Sequence, residues 1–307
     1  MPDRPLKLGT RASPLAMAQA HEARDRLCAA HPELKVEIVP VTASGDKVLD
    51  RPLAEIGGKA LWTKELDAWL LTGEIDFAVH SLKDVETIRP IEIAIAAILP
   101  REDVRDVLVG AASLAELPPG TRIGTSAPRR AAQALHARPD CRVVGIRGNV
   151  QTRLAKLEAG EADVTLLALA GLNRLGMSHF GTPLDPNVWL PAPGQGAIAI
   201  EARAADDRTR ALLSAIDDGP SHRAVIAERA LLAALGGNCH SPIAVLTHEQ
   251  GTELTIRAAL LSPDGAERVE GTTTFAFDDL DGPARLAGEL LNKAGHAIRE
   301  HFDPPAR

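Results

Sequence analysis

The sequence predicts an α/β protein, two hinged α/β lobes followed by a small α+β C-terminal domain. Three observations predict it. The junction Gly9-Thr10-Arg11-Ala12-Ser13-Pro14 recurs in outline as Gly124-Thr125-Ser126-Ala127-Pro128, each time after a short strand-like run and before a helical one. Two stretches without periodicity, Arg101-Glu102-Asp103 and Pro191-Ala192-Pro193-Gly194-Gln195-Gly196, read as crossings between lobes. From about Ser221 the order changes to helix, three strands, helix, an α+β pattern. The expected domains are residues 1–98 with 197–217, residues 99–196, and residues 218–307.

In the first lobe, Leu6 to Gly9 reads as a strand and Leu15 to Ala30 as a helix. Ser13 suits the N-cap and Pro14 the first helical position. Val36 to Val41 is a second strand, Thr42 to Gly58 a loop or lid, and Leu61 to Leu71 an amphipathic helix. Phe77-Ala78-Val79 is an apolar strand that turns polar at once and ends on Lys83-Asp84, the way open α/β sheets present chemistry at strand ends. Ile91 to Leu99 is an apolar strand leaving the lobe.

The second lobe offers strands over 122–125, 143–146 and 164–168, with helices to about Arg138, after Asn149, and over 170–175. Ala197 to Glu201 is a strand returning to the first lobe, and Asp207 to Ala215 a helix. The last domain has a helix to Leu235, strands near 244–246, 253–261 and 268–275, and a long helix to about Phe302.

Composition excludes several classes. With 45% hydrophobic and 24% charged residues, the chain has the profile of a soluble globular protein. A net charge of −7, 3% aromatics and no tyrosine leave little for binding nucleic acid. No apolar run has the length of a membrane span, and the N-terminus shows no signal peptide. Cys28, Cys141 and Cys239 are an odd set without paired spacing, which suits a reducing cytoplasm, and the scattered histidines predict no metal site.

Position gives the arginines meaning. Arg11, the pair Arg129 and Arg130, and Arg147 with Arg153 sit at three strand-to-helix turns. A helix N-terminus favours acids, so basic residues there imply an anion between them. The expected ligand is a polyanion, a polycarboxylate or phosphate rather than a nucleic acid, held by bidentate arginines. Cys239 lies in the glycine-rich stretch Leu235-Gly236-Gly237-Asn238-Cys239-His240-Ser241-Pro242, where a thiol is more available than in a helix core. Burial of that thiol at a helix end is equally open on this local pattern.

Together these stretches resemble the porphobilinogen deaminase family, also called hydroxymethylbilane synthase. The resemblance covers nearly the whole chain and rests on order and spacing. Its parts are Gly9-Thr10-Arg11 with Ser13-Pro14, Gly57-Gly58-Lys59 with Lys64-Glu65, His80-Ser81-Leu82-Lys83-Asp84-Val85, Gly124-Thr125-Ser126 with Arg129-Arg130, Arg147-Gly148-Asn149-Val150 with Thr152-Arg153-Leu154, Pro193-Gly194-Gln195-Gly196-Ala197, Ala227-Glu228-Arg229-Ala230 and the Cys239 loop. It implies lobes resembling a type II periplasmic-binding-protein pair. It also implies a cytoplasmic, monomeric transferase that joins four porphobilinogen units head to tail, releasing ammonia, on a covalently bound dipyrromethane cofactor.

By the same resemblance Asp84 is catalytic and Cys239 anchors the cofactor by a thioether. Lys83, Asp84, Ser81, Ser13, Thr125, Ser126, Arg129, Arg130 and Arg147 bind that cofactor. Arg11, Arg147, Arg153, Gln19, Lys59 and Trp62 bind substrate. No metal, membrane or nucleic acid is implied.

The chain departs from the family pattern at Ala127, Glu86, Asn238 and Trp62, where serine, proline, glycine and often phenylalanine are expected. The competing reading is a non-catalytic two-lobed polyanion-binding protein or effector domain. It suits the arginines but leaves the cysteine of the third domain without a purpose.

Overall fold

A computed structural model describes residues 4–41 and 63–303. In chain order it gives β1 (Leu6–Arg11), α1 (Pro14–Ala30), β2 (Val36–Val41), α2 (Lys64–Thr72), β3 (Phe77–Ser81) and β4 (Ile93–Ile98). Next come β5 (Asp106–Val109), β6 (Arg122–Gly124), α3 (Pro128–Ala137), β7 (Arg142–Val144), α4 (Val150–Glu158), β8 (Val164–Ala168), α5 (Leu169–Arg174) and β9 (Thr182–Pro183). The chain then runs through β10 (Ile198–Arg203), α6 (Asp207–Leu213), α7 (Gly219–Ala234), β11 (Ile243–Gln250), β12 (Glu253–Leu261), β13 (Arg268–Ala276), α8 (Gly282–Lys293) and α9 (His296–Arg299).

Two compact units result: Met1–Glu102 with Gly196–His222, and Asp103–Gln195 with Arg223–Arg307. The first holds a five-stranded sheet of order β2-β1-β3-β10-β4, the second one of order β7-β6-β8-β5-β9 and a three-stranded sheet β11-β12-β13. In the first sheet β10 runs antiparallel to both neighbours, β3 and β4. In the second, β5 does the same between β8 and β9. Each five-stranded sheet therefore has one reversed strand in the fourth place, and that strand lies next to a crossing of the chain.

The repeated junction has a repeated cause. At Gly9 a Cβ would run into Ile75, and at Gly124 into Ile146, so both turns need glycine for close packing. Ser13 caps α1 by accepting from the Ala16 N–H, and Pro14 opens the helix. Ala20, Ala23 and Leu27 recur at helical spacing and bury α1 against one face of the first sheet. Leu66 and Leu70 of α2 cover the other face with Val41, Ile75 and Ala78.

Several boundaries differ from the sequence reading. Strand β5 was not expected: only Val107, Leu108 and Val109 follow Asp106, and a four-residue strand buried on both faces shows no alternation. The second junction is capped by Ala127, whose side chain makes no cap bond. Thr125 Oγ1 instead accepts from the Ala127 N–H at 3.1 Å. Cys28 is half-buried, and its thiol donates to the Leu34 carbonyl. The C-terminal helix breaks at Ala294-Gly295 into α8 and α9. The helix expected from Leu61 is described from Lys64, and the Thr42–Gly58 loop lies outside the described residues.

Strand β12 explains how the third sheet is held. Ile256, Ala258 and Leu260 face a core with Leu231, Leu286 and Leu290, while Ala259 and Leu261 face Ala132 and Leu190 of the second lobe. Burial on both faces hides the alternation expected of an antiparallel strand. The β12–β13 turn seats on α3. The Gly265 carbonyl accepts from His136 Nδ1 at 2.9 Å, and a Cβ at Gly265, where φ is +72°, would collide with the backbone of Ala132 and His136.

Candidate functional site

In the first unit a pocket of about 60 Å³ forms where β1 and β3 end and α1 and α2 begin. It brings together five of the expected residues, Arg11, Ser13, Gln19, Ser81 and Asp84, with His80 and Thr63 beside them. Strand β3 delivers His80 and Ser81, and a single 3-10 turn, Leu82–Asp84, delivers Lys83 and Asp84. Leu82 is fully packed and pins that turn, leaving the Asp84 carboxylate exposed and Lys83 half-exposed. Gln19 Nε2 donates to Ser81 Oγ at 2.9 Å, which ties α1 to the end of β3. Lys59 and Trp62 lie outside the described residues.

Behind the pocket is a buried ionic group that sequence reading missed. Glu201, at the centre of β10, is wholly buried. Arg89 Nε and a terminal nitrogen donate to its two oxygens at 2.8 Å each, and Arg89 also pairs with Asp67 of α2 at 2.5 Å. Glu86 stands 3.7 Å from the same guanidinium. His80 Nε2 faces Glu201 Oε2 at 3.2 Å, the distance of an ion pair. Burial pushes the Glu201 carboxyl up, but His80 and Arg89 outweigh it and hold the group at about 2. Burial likewise opposes the Arg89 charge, and Asp67 and Glu201 overcome it, so its pKa is raised.

In the second unit the sequence places Thr125, Ser126, Arg129 and Arg130 at the β6–α3 junction, Arg147 in the β7–α4 turn and Arg153 in α4. Ser126 Oγ donates to the Ile146 carbonyl at 3.0 Å. Asn149 caps α4 by accepting from the Thr152 N–H, and Arg153 Nε donates to the Gly148 carbonyl at 2.9 Å. Arg129 and Arg130 are buried. The anion between them is Asp106, from the unexpected strand β5. Arg129 and Arg130 each donate to it at 2.7 Å, Trp189 Nε1 at 2.8 Å and Gln195 Nε2 at 2.9 Å.

Burial pushes the Asp106 carboxyl up, but Arg129 and Arg130 outweigh it and hold it far below the usual carboxylate range. Burial, helped by Arg130, lowers Arg129; a guanidinium nonetheless stays charged in a protein. Two buried guanidiniums therefore share one carboxylate, and Arg130 Nε is buried with no partner. An excess positive charge of this kind is costly unless an anion completes it.

Cys239 is the exposed cysteine of the three. Helix α7 ends at Ala234, and the chain turns tightly at Gly236, whose φ is +64°. Asn238 Oδ1 accepts from the His240 N–H at 2.8 Å, and the Asn238 N–H donates to Ser241 Oγ at 3.0 Å. The side chain of Asn238, one of the departures, thus builds the turn that presents Cys239.

The missed residues had one faint signal. A charged residue inside an apolar strand, as in Ile198-Ala199-Ile200-Glu201-Ala202, requires a buried partner. The identity of the partner is a matter of tertiary structure. Among the described residues, no three His, Cys, Asp or Glu side chains gather as a metal site, and no helix is long and apolar enough to cross a membrane.

Comparison with known proteins adds the following. Residues 6–211 match the family model for the porphobilinogen deaminase dipyromethane cofactor binding domain, and residues 222–294 that for the porphobilinogen deaminase C-terminal domain. The porphobilinogen deaminase of Sphingopyxis alaskensis is 55% identical over 309 residues, covering 98% of this chain and 98% of its own. That of Paracoccus denitrificans is 53% identical, covering 98% and 97%, and the chloroplastic protein of Oryza sativa subsp. japonica 48%, covering 97% and 84%.

Proposed function

The chain belongs to the porphobilinogen deaminase family, and from that premise we propose how its residues divide the work. The reaction joins four porphobilinogen molecules head to tail into hydroxymethylbilane, with release of ammonia, on a dipyrromethane cofactor. When bound, that cofactor supplies the pyrrole carbon to which the first substrate is joined.

The residues of the second unit fit such a group. It is a small polycarboxylate, and Arg130 Nε is a buried donor without an acceptor in a cluster that carries excess positive charge. That orphaned donor is the observation that carries this assignment. Cys239 offers an exposed thiol for the thioether. Arg129, Arg130, Arg147, Thr125 and Ser126 bind cofactor carboxylates, and Arg147 and Arg153 bind those of the substrate. In the first unit Ser13, Ser81, Lys83 and Asp84 bind cofactor, and Arg11 and Gln19 bind substrate, as do Lys59 and Trp62.

Asp84 holds its negative charge toward the pyrrole nitrogens as ammonia leaves and positive charge develops on the ring. Preorganised electrostatics of this kind are commonly the largest catalytic contribution. The exposed carboxylate on a pinned turn supports that role. The domains are residues 1–98 with 197–217, residues 99–196, and residues 218–307, a division supported by one sheet in each. The enzyme acts as a cytoplasmic monomer without a metal.

Intact mass tests the cofactor assignment. The purified protein is expected to exceed its sequence mass by one dipyrromethane. Cys239→Ala removes the increment and the activity, whereas Cys28→Ala and Cys141→Ala keep both. An adduct mapped to Cys28 or Cys141 overturns the assignment.

A further inference from the structure

We propose that Arg89 is a positioning residue for Asp84, holding the far end of the segment that carries it. The proposal rests on the reading that Asp84 faces the reacting pyrrole, and it adds the device that keeps that carboxylate in place.

The path of the chain is the first observation. Between the Asp84 turn and β4 the chain forms neither helix nor strand. Its isoleucines are turned to solvent, Ile88 at 72% exposed and Ile91 at 90%, while the Arg89 side chain is only 8% exposed. Apolar side chains outside and a charged one inside reverse the usual order. The arginine, rather than an isoleucine, is therefore the anchor of this run. Pro90 follows at once and biases the Arg89 backbone toward extended conformations. The Ile93 N–H then donates to the Pro90 carbonyl at 3.0 Å and leads the chain into β4.

The second observation is what the guanidinium grips. Its paired bonds to Glu201 fasten it to β10, the strand that lies against β3, which delivers Ser81 and the Asp84 turn. Its two terminal nitrogens donate to the two oxygens of Asp67, at 3.1 and 2.5 Å, and fasten it to α2 as well. Glu86, just beyond Asp84, stands near the same guanidinium, so the segment closes back on its own anchor. Only a planar fork can hold carboxylates of two different elements in this way.

Asp84 is thus bracketed. Before it, Leu82 is fully packed, and the Val85 N–H closes the turn by donating to the Leu82 carbonyl at 3.0 Å. After it, Arg89 ties the segment to sheet and helix. The Asp84 side chain itself is exposed, so the backbone beneath it, rather than packing around it, sets where its charge stands. A charge that must meet a developing cation gains from being fixed beforehand.

The test is a double-mutant cycle on holoenzyme, read as kcat and KM for porphobilinogen. Arg89→Lys keeps a positive charge but replaces the fork by a point. A misplacement near 1 Å can cost roughly a hundredfold, so Arg89→Lys is expected to lower kcat about ten- to a hundredfold with KM within about twofold. In Asp84→Asn the same change is expected to cost little further, because residues that act through one another are not additive. The second readout is amide exchange at Val85, which is expected to quicken in Arg89→Lys. Asp67→Asn leaves the Arg89–Glu201 pair in place; it is expected to show both effects more weakly, and it carries the test if Arg89→Lys does not fold. A parental kcat, a rise in KM alone, losses that simply add to those of Asp84→Asn, or Val85 exchange at the parental rate each overturn the positioning role while the reading of Asp84 stands. Asp84→Asn turning over at the parental rate overturns that reading, and the proposal with it.

Discussion

Strands β10 and β5 occupy equivalent places in their sheets, and each buries one carboxylate completely. Their surroundings carry opposite charge. Glu201 on β10 meets Arg89 and His80, and Arg89 also meets Asp67 and Glu86, so acids outnumber bases. Asp106 on β5 is shared by two arginines, so bases outnumber the acid. One architecture therefore yields an acid-rich wall in the first unit and a base-rich one in the second. The sheet supplies a buried position, and the residues packed over it decide the sign.

The largest effect expected from this contrast is on rate. Asp84→Asn keeps shape but loses charge, and single-turnover rates of enzyme already carrying its cofactor are expected to fall by about 10²–10³. Asp84→Glu moves the charge by one methylene and is expected to fall between Asp and Asn. Arg147→Leu is expected to impair binding and cofactor assembly more than the single-turnover rate. If Asp84→Asn matched the parent while Arg147→Leu lost the rate, the division of labour between the units would be reversed.

The next effect is on stability. Asp106→Asn leaves two buried guanidiniums facing no anion, and removing one partner of a buried ion pair costs about 3–5 kcal/mol. Glu201→Gln leaves Arg89 still paired with Asp67, so the loss is expected nearer 1–3 kcal/mol. Urea unfolding of both variants measures the difference. Equal losses would mean that the balance of charge around the two acids does not matter.

Acidification sharpens the same comparison. Glu201 titrates at about 2 in the folded chain, against its ordinary 4.5. A depressed carboxyl contributes stability that is complete above its unfolded pKa and is lost as pH falls through the folded one. The urea midpoint of the wild type is expected to drop between about pH 4.5 and pH 2, and Glu201→Gln to flatten part of that drop. Asp106, held lower still, keeps contributing further down the scale. An equally steep fall in Glu201→Gln would show that other carboxylates dominate the acid limb.

The smallest effect is the control. Arg122 and Asp163 pair at 2.7 Å on the surface of the second unit, where solvent screens them. Arg122→Gln is expected to leave the urea midpoint within experimental error; a loss comparable to that of Glu201→Gln would mean that burial is not what distinguishes the two central acids.

Local rules made much of the fold legible. Ser13-Pro14 and Asn149 announce their helices by capping chemistry contained within four residues. The run Val164–Ala168 is bounded as its sequence suggests. What escaped depends on contacts far along the chain. Asp106 and Arg129 are 23 residues apart, and Arg89 and Glu201 are 112 apart. Arg129 and Arg130 were read as waiting for a ligand, yet the anion between them is the chain's own Asp106. Thr63 was equally invisible, because the expected helix from Leu61 placed it inside the helix rather than at its N-cap.

The seat of Gly265 on α3 has a further meaning. It clamps the domain that bears Cys239 to the helix that bears Arg129 and Arg130. A molecule tethered to that thiol has its near end surveyed in place, like the zero mark of a ruler fixed to the bench. On the proposal that Cys239 carries the cofactor, each added unit would lengthen the free end, and a bulkier side chain at Gly265 would shift the zero without touching a single residue of the scale.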